Sequence, residues 1–473
     1  MLKFVSSSQS FPEVKPPELR RKDFEEIYNQ FSTAQAAEQA ARCSQCGIPF
    51  CQIHCPLQNN IPDWLKLTAE GRLEEAYAIS SATNNFPEIC GRICPQDKLC
   101  EGNCVIEKDF GSVTIGSVEK YITETAFENG WVKPISVKQE SGFSVGIIGA
   151  GPAGLAAADM LRRKGHEVHI YDRYDRSGGL LIYGIPNFKL EKDIVLRRHK
   201  LLEAGGIKFH LGVDIGGKTP LDELQSRHDA ILIATGVYKS RTMEVPNSNL
   251  ENILPALTYL TASNRKGLGD VVTDFDNGKL NAEGKTVVVV GGGDTAMDCV
   301  RTAIRQGAKS VTCLYRRDQA NMPGSAREVK NAKEEGVNFQ WLSAPKAFVG
   351  NKKLEQILVQ RMRLSSQDVA GRQDIQPVPG ETFSISADMV IEALGFDAED
   401  MPVMFNKPDL KIRKNGTLDI NQSNFMTSVE GVFAAGDIVR GASLVVWAIK
   451  DGRDAAGAIH NHIMSQAKIR NVA

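Results

Sequence analysis

Eight of the ten cysteines in this chain lie between Cys43 and Cys104, in two runs of four. Four thiolates suit either one tetrahedral zinc ion or a cubane iron–sulfur cluster. Only Cys43 and Cys46 have the two-residue spacing usual in zinc knuckles, and each run contains a Cys-Pro pair typical of bacterial ferredoxins. The pattern predicts two 4Fe–4S clusters, with zinc and disulfide bridges as the alternatives.

The two cysteine runs are expected to interleave, as in ferredoxins, where the cysteine before a proline serves the other cluster. One predicted ligand set is Cys43, Cys46, Cys51 and Cys104, and the other is Cys55, Cys90, Cys94 and Cys100. Apolar residues recur at helical spacing over residues 61–82, and residues 116–129 also have a helical pattern. The sequence therefore predicts a small helical domain around two clusters, over residues 1–140.

Length and charge limit the remaining possibilities. A chain of 473 residues is expected to form two to four domains. A formal net charge of -1 gives no reason to expect nucleic-acid binding, which depends on neutralising phosphates. No apolar run approaches the ~20 residues that cross a bilayer, and the first residues lack the apolar core of a secretory signal. We expect a cytoplasmic protein without a membrane anchor, in which clustered cysteines stay reduced.

A dinucleotide-binding loop follows the cysteine region. A predicted strand over residues 143–148 leads into a glycine turn and then an alanine-rich helix. The next strand ends at Asp172, 23 residues after Gly149, where a carboxylate can hold a ribose hydroxyl. The turn consists of Gly149, Ala150, Gly151, Pro152, Ala153 and Gly154. An ordinary strand–turn–helix is the alternative to a nucleotide-binding role.

The loop motif occurs a second time. The predicted strand Thr286–Val290 enters a turn formed by Gly291, Gly292, Gly293, Asp294, Thr295 and Ala296. The following strand ends in Arg316 and Arg317 instead of an acid, and guanidinium groups suit the 2′-phosphate of NADP(H). Structural surface arginines are the alternative. Asp294 would repel a pyrophosphate, so we expect its side chain to point away or toward the nicotinamide ribose.

Two nucleotide loops suggest a resident flavin and an exchanging nicotinamide. Residues 431–437 predict a short buried strand ending in Gly436 and Asp437, whose carboxylate can accept hydrogen bonds from a ribityl hydroxyl. A helix from about Ser443 would direct its positive end at the flavin. Two more strands end in small-residue turns, one at Thr235 and Gly236 and one at Gly395, which either contact ligand or only close each domain.

The cysteine runs, the two glycine turns and the Gly436–Asp437 turn occur in the order that resembles the small-subunit family of NADPH-dependent glutamate synthases. The chain is also similar to the N-terminal half of dihydropyrimidine dehydrogenase and to the large subunit of NADH-dependent ferredoxin–NADP oxidoreductases. Dihydropyrimidine dehydrogenase completes one cluster with a glutamine, whereas residues 118–120 offer none here, so Cys90 is expected as the fourth ligand. Residues 177–186 lack the redox cysteine pair of glutathione-reductase-like enzymes, which argues against disulfide reduction.

The resemblance implies FAD, NADPH and two 4Fe–4S clusters. The implied FAD contacts are Gly149, Gly151, Gly154, Asp172, Gly436 and Asp437, and the implied NADPH contacts are Gly292, Gly293, Thr295, Arg316 and Arg317. Further candidate cofactor-binding residues are Ala150, Pro152, Ala153, Gly179, Leu180, Thr235, Gly236 and Asp294. The expected fold is a multidomain α+β protein, in which a helical double-cluster domain precedes two Rossmann-like domains. Its predicted segments are 1–140 for clusters, 141–280 and 397–473 for FAD, and 281–396 for NADPH.

Hydride transfer from nicotinamide to flavin needs stacking and exclusion of water, so no catalytic side chain is expected. The chain begins Met1-Leu2, without the N-terminal cysteine of an amidotransferase, and leaves no room for a (β/α)8 barrel of ~250 residues. Glutamine hydrolysis and 2-oxoglutarate reduction are thus assigned to a large (alpha) partner subunit in a hetero-oligomer. The alternatives are a related reductase that feeds ferredoxin or another reductase, and a non-enzymatic scaffold.

Overall fold

The N-terminal unit is helical, as the sequence predicts. The computed structural model describes residues 1–366 and 373–472. Trp64, Val118 and Ile122 are fully buried and form the centre of this unit. Its helices are Pro17–Arg20, Thr33–Ala40, Phe50–Ile53, Ile61–Ala69, Leu73–Thr83, Pro87–Ile93, Glu107–Phe110 and Ile115–Glu128, with short 3₁₀ turns at Lys3–Val5 and Gln96–Lys98.

The helix predicted over residues 61–82 is in fact two helices, Ile61–Ala69 and Leu73–Thr83. Gly71 separates them with a φ of 76°, a left-handed conformation that glycine adopts without steric cost. The Gly71 amide donates to the Thr68 carbonyl and the Arg72 amide donates to the Leu67 carbonyl. These hydrogen bonds satisfy carbonyl groups in the last turn of the first helix. The apolar spacing continues through the break, which is why periodicity alone did not show it.

The first nucleotide-binding unit is a five-stranded parallel sheet. Its strand order in space is Val432–Ala434, Ala230–Ile233, Ser144–Ile148, Glu167–Asp172 and Lys208–Leu211. The strand from residues 432–434 reaches the edge of this sheet from the far end of the sequence. Helices of this unit are Pro152–Arg163, Leu180–Tyr183, Lys192–Ala204, Leu221–Arg227, Met401–Met404, Asp437–Arg440 and Val445–Val472.

The second unit repeats this architecture. Its parallel strands lie in the order Ile253–Pro255, Met389–Glu392, Thr286–Val290, Ser310–Leu314 and Asn338–Gln340. Its helices are Ala256–Gly267, Thr273–Asp276, Asp294–Arg305 and Ala326–Glu334. An antiparallel sheet of Ser343–Val349, Gln356–Leu364 and Ile375–Ser386 is inserted before the strand Met389–Glu392.

The predicted boundary between residues 280 and 281 is wrong, because Ile253–Pro255 already pairs with the second sheet. The chain crosses between the units through Lys239–Ser240 and returns through Phe396–Asp397, and these two segments pair antiparallel. The predicted fold class is confirmed, since a helical unit precedes two doubly wound parallel sheets. Within the described part of the chain, every helix is too short or too polar to span a lipid bilayer.

Candidate functional site

The structure brings the eight clustered cysteines close to one another, in an arrangement compatible with the two predicted ligand sets. Cys51 lies near Cys43, Cys46 and Cys104, and we call these four cysteines the outer set. The inner set, Cys55, Cys90, Cys94 and Cys100, lines a single cavity. All ten cysteines lie in the described chain as free thiols, which does not support the disulfide alternative.

Burial disfavours the charged thiolate form of these cysteines. It raises the pKa of Cys51 to about 12 and the pKa of Cys55 to about 11, so the protein alone holds neutral thiols. Bound iron supplies the positive charge that stabilises thiolates as ligands. Over residues 1–366 and 373–472, no three His, Cys, Asp or Glu side chains approach closely enough to hold one metal ion.

The first glycine turn is shaped to receive a dinucleotide. Gly149 has a φ of 109°, and a Cβ there would lie 2.4 Å from the carbonyl oxygen of Ala234. A Cβ on Gly154 would lie 2.0 Å from the Gly149 carbonyl oxygen, so both positions require glycine. Gly151 instead faces open space, with nothing within 4 Å of an added Cβ. A pyrophosphate can therefore approach the amino end of the helix Pro152–Arg163, as the FAD hypothesis requires.

Asp172 lies at the carboxyl end of its strand beside this turn and is 8% exposed. Its Oδ2 accepts from the backbone amide of Ala150 at 2.6 Å, and its Oδ1 accepts from Tyr174 at 2.8 Å. Asp172 and Thr235 line one pocket beside the first glycine turn. The sequence did not indicate most of the other lining residues, among them Arg173, Tyr238 and Glu399. The guanidinium of Arg173 lies 4.9 Å from the Tyr238 ring centroid, an aromatic contact that sequence spacing does not reveal.

Two more of the predicted flavin residues, Gly179 and Gly436, approach the first turn. A Cβ on Gly179 would lie 3.0 Å from Cα of Gly151, and the helix that begins at Leu180 follows directly. Gly436 has a φ of 78°, and its Cβ would lie 2.8 Å from the Ala153 methyl group. Gly236 also has a positive φ, 74°, after the strand Ala230–Ile233.

The carboxylate of Asp437 lies at the same junction. Its Oδ1 accepts from the Ser443 hydroxyl at 2.6 Å, and burial raises the pKa of Asp437 to about 6. The helix predicted from about Ser443 begins at Val445. Three chain segments far apart in sequence thus converge on the amino end of the helix Pro152–Arg163.

The second glycine turn repeats the geometry of the first. A Cβ on Gly291 would lie 2.3 Å from the carbonyl oxygen of Ala393, whereas Gly293 faces open space. A cavity of about 630 Å³ adjoins this turn. Its lining includes Gly292, Gly293, Thr295, Arg316, Arg317 and Pro323. The open glycine and the two arginines fit a phosphorylated dinucleotide.

The two arginines differ in their surroundings. Arg316 is exposed, whereas Arg317 is half-buried and donates from Nη1 to the carbonyl oxygen of Gln373 at 3.1 Å. Asp294 does not point into the cavity, because its Oδ1 accepts from the backbone amide of Ser325 at 2.9 Å. Of the two orientations expected for Asp294, the structure shows the one directed away from the pyrophosphate site, which argues against its predicted contact with nucleotide.

Comparisons with known proteins agree with this organisation. Residues 20–131 match the family described as dihydropyrimidine dehydrogenase domain II, 4Fe–4S cluster, and residues 143–452 match the pyridine nucleotide-disulphide oxidoreductase family. The small chain of glutamate synthase (NADPH) from Azospirillum brasilense is 61% identical over 469 residues, which cover 99% of this chain and 97% of that one. The corresponding small chain from Escherichia coli K12 is 45% identical over 463 residues, covering 97% of this chain and 98% of its own length.

Among solved structures, FprA from Mycobacterium tuberculosis in complex with NADPH has a TM-score of 0.59 and 20% identity. The match covers 69% of this chain and 86% of FprA, and at this identity it supports the fold alone. The full-length matches to the small chains extend over the cysteine runs and both glycine turns. The chain therefore belongs to the small-chain family of glutamate synthases.

Proposed function

We propose that this chain is the electron-input subunit of a glutamate synthase, which takes electrons from NADPH and passes them to a large partner subunit. That partner would make L-glutamate from L-glutamine and 2-oxoglutarate. As a family member, the chain is an NADPH-dependent oxidoreductase with FAD and 4Fe–4S clusters as its cofactors. Their residues here are the two cysteine sets, the first glycine turn for FAD and the second for NADPH.

The order of the sites along the molecule carries this proposal. Val446, on the helix Val445–Val472, lines the cavity of the inner cysteine set. Cys90 also shares a hydrophobic core with Phe86, Ile89 and the first nucleotide-binding unit. The inner set thus lies against the proposed flavin domain, and the outer set lies farther out in the helical unit. This order supports a route from nucleotide to flavin, then to the inner and the outer cluster.

Exposed apolar side chains next to the outer-set cysteines support a protein partner. They are Ile48, Phe50, Ile53 and Val105, each within two residues of an outer-set cysteine in the sequence, and we call them the apolar surface. Their exposures are 63%, 45%, 55% and 56%. Apolar side chains grouped on a surface often mark a protein interface. We therefore assign this apolar surface to the large subunit, with which the outer cluster would exchange electrons.

The protein's own contribution to the reaction is binding, orientation and exclusion of water. When bound, flavin accepts a hydride and releases electrons singly, a conversion that belongs to the cofactor. Gly151 and Gly293 leave open backbone for the two pyrophosphates, and the helices that follow direct unpaired amides toward them. No side chain is assigned as an acid or base. Cluster thiolates also require a reducing compartment, which supports the cytoplasm as the location.

The test is reconstitution with the partner. The purified chain should reduce an artificial dye with NADPH, copurify with a large subunit, and then form glutamate from glutamine and 2-oxoglutarate. Cys104→Ser should stop glutamate formation but retain dye reduction at the flavin, whereas Cys299→Ala, in the second nucleotide core, should retain both. A pair that reduces ferredoxin but forms no glutamate would overturn the assignment in favour of a related reductase.

A further inference from the structure

The chain between two inner-set cysteines reaches out of the helical unit and touches the second nucleotide-binding unit. Cys94 and Cys100 flank the 3₁₀ turn Gln96–Lys98. Asp97 and Lys98 of this turn contact the loop Pro323–Ala326, which leads into the helix Ala326–Glu334. More than 220 residues separate the two segments in sequence.

Both side chains of the turn bind this loop. Asp97 accepts from the Ser325 hydroxyl at 3.2 Å through Oδ1 and from the Ala326 amide at 3.1 Å through Oδ2. Lys98 donates from Nζ to the carbonyl oxygens of Pro323 and Gly324, the second at 3.2 Å. The carboxylate therefore satisfies a free amide at the start of a helix, and the ammonium neutralises two carbonyl dipoles.

The opposite side of the loop rests on the second glycine turn. The Gly324 amide donates to the Gly292 carbonyl oxygen at 2.9 Å, and the Ser325 amide donates to Asp294 at 2.9 Å. Ser325 is 3% exposed, and Pro323 is part of the cavity lining. The loop is thus fixed between the dinucleotide cavity on one side and the cysteine segment on the other.

We propose that Asp97 and Lys98 are positioning residues for the nicotinamide dinucleotide. They hold the loop Pro323–Ala326 against the second glycine turn, so that one wall of the cavity is set by the segment between two cluster cysteines. The inference rests on the proposed NADPH site. Because coupling between two sites is reciprocal, order in the Cys94–Cys100 segment strengthens nucleotide binding, and bound nucleotide in turn stabilises that segment.

The contact predicts a distinctive kinetic signature. The loop borders the glycine turn, which any nicotinamide dinucleotide would use. Its effect on binding therefore does not depend on the 2′-phosphate. In the holoenzyme, Asp97→Ala and Lys98→Met should therefore raise KM for NADPH and for NADH by the same factor, roughly 10-fold, within the usual range of coupling between sites. The kcat with an artificial dye should change little. Calorimetric titration of NADP⁺ into the oxidised holoenzyme should show the same loss of affinity without turnover.

A change on the nucleotide side of the contact separates positioning from damage to the cluster. Ser325→Ala removes the hydroxyl that donates a hydrogen bond to Asp97, and it leaves the helical unit unchanged. The double variant Asp97→Ala/Ser325→Ala should bind NADP⁺ more tightly than the product of the two single effects predicts, since they share one contact. Lys108→Met, at an exposed position in the same unit, is the matched control and should leave KM unchanged.

Iron content and the visible spectrum show whether each variant retains its clusters. Unchanged NADP⁺ affinity in Asp97→Ala and Lys98→Met with full iron content would overturn the inference, and so would additive single effects in the double variant. Failure of the unaltered chain to bind NADP⁺ would instead overturn the proposed nucleotide site. The two failures are therefore distinguishable.

Discussion

At the residue scale, the two arginines after the strand Ser310–Leu314 carry the assignment of cofactor preference. Both line the cavity beside the second glycine turn. Among the residues that the structure describes, the Arg317 guanidinium is partly engaged by the Gln373 carbonyl, whereas the Arg316 side chain is exposed. We therefore expect Arg316 to carry the larger share of 2′-phosphate recognition, a distinction that the sequence pair alone could not make.

Replacement of these arginines tests this distinction. A hydrogen bond to a charged group contributes roughly 1.5–3 kcal/mol, so Arg316→Ala should raise KM for NADPH about 10- to 100-fold and leave KM for NADH nearly constant. Arg317→Ala should have a smaller effect of the same kind. Steady-state kinetics with both nucleotides measure this, with Lys309→Ala, an exposed change before the same strand, as control. An equal rise for NADPH and NADH would contradict a role in 2′-phosphate recognition.

At the element scale, the close approach of two helices shapes the proposed flavin site. Gly452, on the long helix Val445–Val472, lies so near the helix Pro152–Arg163 that an added Cβ would be 2.1 Å from the Ala153 carbonyl oxygen. This contact brings the C-terminal segment, with Asp437 at its start, onto the first glycine turn. Gly457, on the same helix, faces open space and is exposed.

These two glycines form a matched pair. Gly452→Ala should separate the helices, with an overpacking cost of about 1–3 kcal/mol, a lower Tm and a lower FAD content after purification. Gly457→Ala should leave FAD content unchanged and raise stability by up to about 1 kcal/mol, since alanine favours a helix. Thermal release of flavin, followed by fluorescence, measures both. Equal behaviour of the two variants would show that the helix contact does not support the site.

The elements that could be predicted from the sequence are those fixed by local rules. Cysteine spacing predicted one region of clustered thiols, and each glycine turn followed a strand and preceded a helix as expected. What escaped prediction depends on contacts distant in sequence. Ile253–Pro255 is too short to show a pattern and joins its sheet only by pairing with Met389–Glu392. Asp97 and Lys98 look like ordinary surface charges in the sequence, and only the fold shows that they bind the loop Pro323–Ala326.

At the scale of the whole molecule, buried ion pairs join the three units. Arg198 of the first nucleotide unit pairs with Glu88 of the helical unit at 2.7 Å. Lys189 pairs with Asp298 of the second nucleotide unit at 2.7 Å, and Arg20 of the N-terminal segment lies 3.2 Å from Glu335. Breaking a buried pair leaves a charge without compensation, which strongly disfavours separation of the units. The order of the proposed sites is thus built into the folded chain.

That order predicts where electrons leave. The apolar surface of Ile48, Phe50, Ile53 and Val105 adjoins the outer cysteines, so a partner bound there would lie next to the last cluster. Phe50→Asp or Ile53→Asp would bring a charge into that interface and should weaken binding of the large subunit at least about 10-fold, because loss of a buried apolar anchor typically costs ~2 kcal/mol. Glutamate formation should fall in parallel, while NADPH-dependent dye reduction persists, because the nucleotide and flavin sites lie elsewhere.

Val271 provides the matched control, since it is 90% exposed in the second nucleotide unit, away from the outer cysteines. Val271→Asp adds the same charge to the surface and should leave the affinity for the large subunit unchanged. Analytical ultracentrifugation of labelled small chain with the large subunit measures the affinities, and iron content verifies that each variant keeps its clusters. If Phe50→Asp and Ile53→Asp bind as tightly as Val271→Asp, electrons must leave through another face, and the outer cluster would not be the terminal donor.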